Sequence, residues 1–130
     1  MRLNLVDIVR ELNNEVYESS LESCNKTWKK PSLKMKNHSD SIKVYNSLTD
    51  EQKACTHYML ETVAWNVTSS FFAWLDGIYF LKNQTESLEL RFEGEEEKLN
   101  NYLHGIWVEL HQGGNVDEMR KFYDDPVFYK

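Results

Sequence analysis

Cysteine, glycine and proline are all scarce in this chain, and each shortage excludes something. The two cysteines, Cys24 and Cys55, form no Cys-x-x-Cys pair and no zinc-ligand spacing. Two free thiols in a reducing compartment are expected. Five glycines leave little for a glycine-cradled nucleotide, and the chain contains no phosphate loop, no Rossmann glycine pattern and no Gly-x-Ser-x-Gly elbow. Long apolar runs are absent too. The longest stretch without a charge, Thr62 to Leu75, is interrupted by Asn66, Thr68, Ser69 and Ser70, which makes it too short and too polar to cross a bilayer. Asp7, Arg10 and Glu11 break up the first residues, so no secretory leader is read. The expectation is a cytoplasmic protein that does not engage a membrane. The Asn-x-Ser/Thr triplets at Asn25, Asn37, Asn66 and Asn83 are then a by-product of composition.

Positive charge is the other shortage. Fifteen Lys and Arg face 21 Asp and Glu, a net charge of −6, and the imbalance is unevenly spread. Residues 24–44 hold six lysines (Lys26, Lys29, Lys30, Lys34, Lys36, Lys43) against Asp40. The rest is strongly acidic, most densely at Glu86, Glu89, Glu93, Glu95, Glu96 and Glu97 and again at Asp117, Glu118, Asp124 and Asp125. Such a body repels nucleic acid and attracts basic partners.

What is abundant is aromatic side chain, 13% of residues, which a disordered chain lacks. A chain of 130 residues is read as one domain spanning 1–130, long enough to bury roughly two-thirds of its unfolded surface without staples. Leu5, Ile8, Val9, Leu12 and Val16 recur at helical spacing, predicting a helix over about 4–21. Residues 24–39, polar and lysine-rich around Trp28 and Pro31, are expected to form a long basic loop. A short helix follows, started by Ser39 or Asp40, with Ile42, Tyr45 and Leu48 on one face. Thr49-Asp50-Glu51-Gln52 has the form of a capping box, opening a helix that ends at Asp76-Gly77. Cys55, Met59, Val63, Val67 and Phe71 are spaced by four along it, and the second half of this helix is expected to be the buried centre of the fold. Ile78–Leu81 and Leu88–Phe92 read as the arms of a small β-hairpin. Leu99, Leu103, Ile106 and Leu110 mark a helix over about 96–112, stopped by Gly113-Gly114. Asn115 opens a last short helix carrying Met119 and Phe122. The fold class expected is mainly α, in the α+β sense: four to five helices around a buried central helix, with a small hairpin.

No catalytic residue emerges. His57 and Glu61 share a helix face, and His104 and His111 lie two turns apart, but no recognised metal-ligand motif is present and no metal or cofactor is expected. Cys55 lies two residues from His57, a spacing that points the two side chains apart, and reads as a core thiol. Glu95-Glu96-Glu97 and Asp124-Asp125 lack the apolar setting that shifts a catalytic carboxylate.

Two candidate sites remain. The first is a partner-binding face made of Glu93, Glu95, Glu96, Glu97, Asp124 and Asp125 with the aromatics Tyr102, Trp107 and Tyr129. Carboxylates steer a basic partner, and aromatics supply the affinity at interface centres. The second is a pocket at Asn66, Ser70 and Trp74, where polar groups sit among aromatics; Asn66 and Ser70 also fit a merely exposed strip of the helix. The basic segment reads as a solvated loop or as one docked on the acidic face of its own chain.

Tyr45-Asn46-Ser47-Leu48-Thr49-Asp50-Glu51-Gln52, followed by Phe72-Ala73-Trp74-Leu75-Asp76-Gly77, resembles a pattern in small, helical, cytoplasmic bacterial domains of immunity-protein type. The similarity spans Tyr45 to about Leu110 and implies neutralisation of a toxin; it carries no family site residue with it. The combined expectation is a non-enzymatic binding protein that occludes a basic protein partner such as a toxin or nuclease, and phage inhibitors of bacterial defence follow the same physical logic. The alternatives are a small-ligand or enzymatic domain using the Asn66 pocket, and a homodimer formed through the first helix or the C-terminal aromatics.

Overall fold

The structure, a computed structural model, describes residues 4–29 and 36–123. The chain is mainly helical. In order it runs through α1 (Leu5–Leu12), a π-helical segment (Asn13–Glu18), α2 (Ser19–Lys29), α3 (Lys36–Ser47), α4 (Asp50–Leu75), α5 (Leu103–His111) and α6 (Val116–Tyr123). The first three are continuous.

The π segment rewrites the face expected of the first helix. An unbroken α-helix would carry the inward stripe of Val9 to Val16, seven residues later. Hydrogen bonds from i to i+5 widen the turns and move the inward position on by one residue. Tyr17 is therefore buried, while Val16 is 57% exposed. The helix also continues past the boundary expected at residue 21. Residues 24–29 belong to α2 and residues 36–39 to α3, which corrects the long loop of 24–39. Lys26 and Glu22, one helical turn apart, pair at 2.8 Å, showing how lysine-rich chain is held in a helix. Residues 30–35, and with them Lys30, Pro31 and Lys34, lie outside the described residues.

α4 starts where the capping box places it. The Gln52 N–H donates to Thr49 Oγ1 at 3.2 Å and the Thr49 N–H donates to Gln52 Oε1 at 3.0 Å. It ends in a Schellman motif: Gly77, at φ +72°, takes the left-handed position, and the Ile78 N–H donates to Ala73 O at 2.9 Å. α5 ends likewise. The Gly114 N–H donates to Glu109 O at 2.9 Å, with Gly113 at φ +81°.

The core lies where α1, the π segment, α4, α5 and α6 meet, formed by Leu5, Val6, Val9, Tyr17, Phe72, Leu103, Ile106, Trp107, Met119 and Tyr123. Its centre is α5, with Ile106 and Trp107 wholly enclosed. The expectation of a buried α4 is thereby corrected. α4 packs one side on α5 through Ser69, Phe72 and Ala73. The four-spaced stripe faces out, with Met59 67%, Val63 60%, Val67 65% and Phe71 53% exposed, and Cys55 is exposed as well rather than in the core. A four-residue step advances 400° around a helix, so such a stripe drifts by about 40° per turn. It cannot stay on one straight seam, and the neighbouring diagonal is the one that packs.

Chain 76–102 is irregular, and no strand forms among the described residues, which corrects the expected hairpin. Side-chain amides take the hydrogen bonds a ladder would need. Asn100 donates to Leu75 O at 2.6 Å and Leu88 O at 2.7 Å and accepts from the Leu90 N–H at 2.9 Å. Gln84 accepts from Trp74 Nε1 at 2.7 Å and from the Leu81 N–H at 3.3 Å. The α5 helix accordingly begins at Leu103 rather than near residue 96.

Candidate functional site

Gln84, inside the irregular segment, and Asn100, near its far end, tie it to the end of α4, and much of its apolar surface is exposed. Ile78, Tyr79, Phe80 and Leu81 are 44–62% exposed and Phe92 is 48% exposed, a concentration of apolar surface that a folded chain rarely leaves bare without use. The acidic residues follow at once. Arg91 and Lys98, the cations beside these acidic residues, both turn to Glu89, at 2.9 and 2.6 Å. Those two hydrogen bonds, Lys98 first, hold the Glu89 carboxyl below its ordinary range. Arg91 also donates to Glu96 O. The carboxylates of Glu93, Glu95 and Glu96 stay exposed and form no ion pair among the described residues.

Glu93, Glu95 and Glu96 are at the surface and Glu97 is half-buried. Tyr102 is half-buried, its ring 5.9 Å from that of Tyr123. Trp107 is 0% exposed and belongs to the core, so it contributes no contact surface; a tryptophan on the inward diagonal of α5 is needed to fill the space against Tyr17 and Phe72, 5.0 and 5.5 Å away between ring centroids. Asp124, Asp125 and Tyr129 lie outside the described residues. Tyr79, Phe80 and Phe92, expected on strand faces, are exposed in the same irregular segment as the carboxylates. The signal available was the pair of amides, Gln84 and Asn100, flanking a stretch with no partner strand.

Of the second candidate site, Asn66 and Ser70 are exposed on α4, and Trp74 gives its indole N–H to Gln84. An open cleft of about 250 Å³ lies elsewhere along α4, lined by Glu61, Thr62 and Trp65 together with Tyr17 and His111.

Three of the histidines face separate partners. His57 pairs with the Tyr45 hydroxyl, His104 Nε2 lies 2.9 Å from Ser69 Oγ, and His111 Nε2 lies 3.0 Å from Asn13 Oδ1. Among the described residues no three His, Cys, Asp or Glu side chains are placed to hold a metal ion. No described helix is long and apolar enough to cross a membrane. No family model matches the chain, nor does any curated protein or solved structure compared with it.

Proposed function

We propose that this protein is a non-enzymatic binding protein that engages and occludes a basic protein partner through the segment 78–98. The observation that carries the reading is the exposure, within that one segment, of Tyr79, Phe80 and Phe92 together with Glu93, Glu95 and Glu96. Carboxylates around aromatics are what an interface for a cationic protein requires: long-range attraction speeds the encounter, and desolvated rings hold the complex. Gln84 within the segment and Asn100 just past it hold it to the end of α4, which lowers the ordering that opposes binding. The net charge of −6 adds to the field. The similarity of Tyr45–Gln52 and Phe72–Gly77 to immunity-type domains is in keeping with a toxin or nuclease as the partner, in a cytoplasmic setting.

Affinity capture from the native host tests this, using the tagged protein beside its Glu93→Lys, Glu95→Lys, Glu96→Lys variant. The reading expects one stoichiometric basic protein, released by salt and absent from the variant. Equal capture by both chains, or no partner with either, contradicts it.

A further inference from the structure

The cleft at Tyr17, Glu61, Thr62, Trp65 and His111 stands on other residues than the acidic segment and does not depend on the partner reading. Its walls come from three elements: Tyr17 from the π segment, Trp65 from α4 and His111 from α5. The rings meet edge to face rather than stacked. Tyr17 stands at 87° to His111 with centroids 5.4 Å apart, and Trp65 at 80° to His111 at 6.2 Å. The three rings line one open cleft, and the π face of an aromatic ring attracts a cation.

The charges around the cleft have the same sense. Burial first, and then the carboxylates of Glu18 and Glu61, push the Tyr17 phenol upward, which puts both carboxylates within Coulombic reach of the ring. Burial holds the His111 imidazole below its ordinary value, so this wall is neutral near pH 7 and adds no opposing charge. An anion would meet the Glu61 carboxylate in the lining, and a purely apolar ligand would leave it unused. The volume, about 250 Å³, falls below the roughly 300–1,000 Å³ of pockets for drug-sized ligands; it suits a single charged group rather than a whole cofactor. The π segment is also explained by this site. With an unbroken α-helix Val16 would face inward, and the cleft would lose its phenol; π turns inside α-helices recur at functional sites.

We propose that this cleft binds an organic ammonium group, held by the faces of Tyr17, Trp65 and His111 and by the carboxylate of Glu61.

The test is NMR of the Trp65 indole N–H during titration with two cations, choline and the capped peptide acetyl-Gly-Lys-Gly-amide. Each is paired with a neutral isostere, 3,3-dimethylbutanol and the norleucine peptide. The expected result is a saturable shift with at least one cation, with its isostere binding about tenfold or more weakly. Tighter binding of choline identifies a free small cation as the ligand, and tighter binding of the peptide identifies a lysine side chain. Glu61→Gln, a change on an exposed side chain expected to leave the thermal midpoint in place, should weaken the cation by about threefold or more. Absence of a saturable shift with both cations overturns the proposal. So does equal binding of cation and isostere, or binding that Glu61→Gln leaves untouched.

Discussion

The Asp76 carboxylate, just past the end of α4, accepts through Oδ2 from the backbone N–H of His104 at 2.7 Å, in the first turn of α5. Its other oxygen accepts from the Asn101 N–H at 2.8 Å. One side chain thus caps a helix whose sequence start lies more than twenty residues away, and it fixes α5 to α4 across the irregular segment. A carboxylate at a helix N-terminus also favours the helix dipole. Asp76→Ala is expected to cost about 1–2 kcal/mol, and Asn100→Ala, which strands two carbonyls and one N–H, about 3 kcal/mol. Denaturant unfolding of both variants measures this, and changes within error of the parent would contradict the anchoring role.

The two diagonals of α4 should respond oppositely to truncation. Phe72 is 4% exposed and packs on Trp107, so Phe72→Ala is expected to cost about 3–5 kcal/mol. Val67 is 65% exposed, and Val67→Ala should stay within about 0.5 kcal/mol. Comparable losses at the two positions would restore α4 as the buried centre.

That contrast also shows where the sequence was legible. Helix ends carrying chemistry of their own, the Thr49–Gln52 box, the Gly77 and Gly113 caps and the Asn115 start, were readable because each is settled within a few residues; Asn115 Oδ1 accepts from the Asp117 and Glu118 N–H at 3.0 and 3.1 Å. Long-range choices were not. Which diagonal of α4 packs depends on α5, and Tyr17 turns inward because of a π register that periodicity does not encode. Leu88–Phe92 alternates like a strand, but Asn100 and Gln84 claim its surroundings. The carboxylates of the candidate face were visible in the sequence. Of the aromatics expected beside them, Trp107 belongs to the core instead, and in sequence it looks no different from Phe92, which is exposed.

Stability should fall on both sides of neutrality, for different residues. Burial lowers the His111 value from 6.5, so below that pH the unfolded chain takes up a proton the native chain resists, and stability declines as pH falls. Burial raises Tyr17 and Tyr123 above 10.0, helped by Glu18 and Glu61 at the first and by Glu109 at the second. Their contribution is complete below pH 10 and is lost as pH rises beyond it, where the unfolded chain ionises first. Unfolding across pH checks the directions, and His111→Gln should flatten the acid limb alone.

The same imidazole gives the cleft its own pH dependence. The charged groups around it are Glu18 and Glu61, with Tyr17, Asn13 and the indoles of Trp65 and Trp107 as neutral neighbours. Protonating His111 sets a positive charge beside the bound ammonium, so cation affinity should drop as pH is lowered through the His111 transition. An affinity constant over that interval would remove His111 from the site.

The most direct test of the partner reading is the association rate of the captured basic partner as a function of ionic strength. The acidic segment as steering surface predicts a rate that falls steeply with salt. Reversing Glu93, Glu95 and Glu96 should slow association at low salt and flatten the dependence, whereas Tyr79→Ser, Phe80→Ser and Phe92→Ser should hasten dissociation and leave association nearly unchanged. An association rate indifferent to salt, or unaltered by the reversal, would contradict the assignment of segment 78–98 as the binding face.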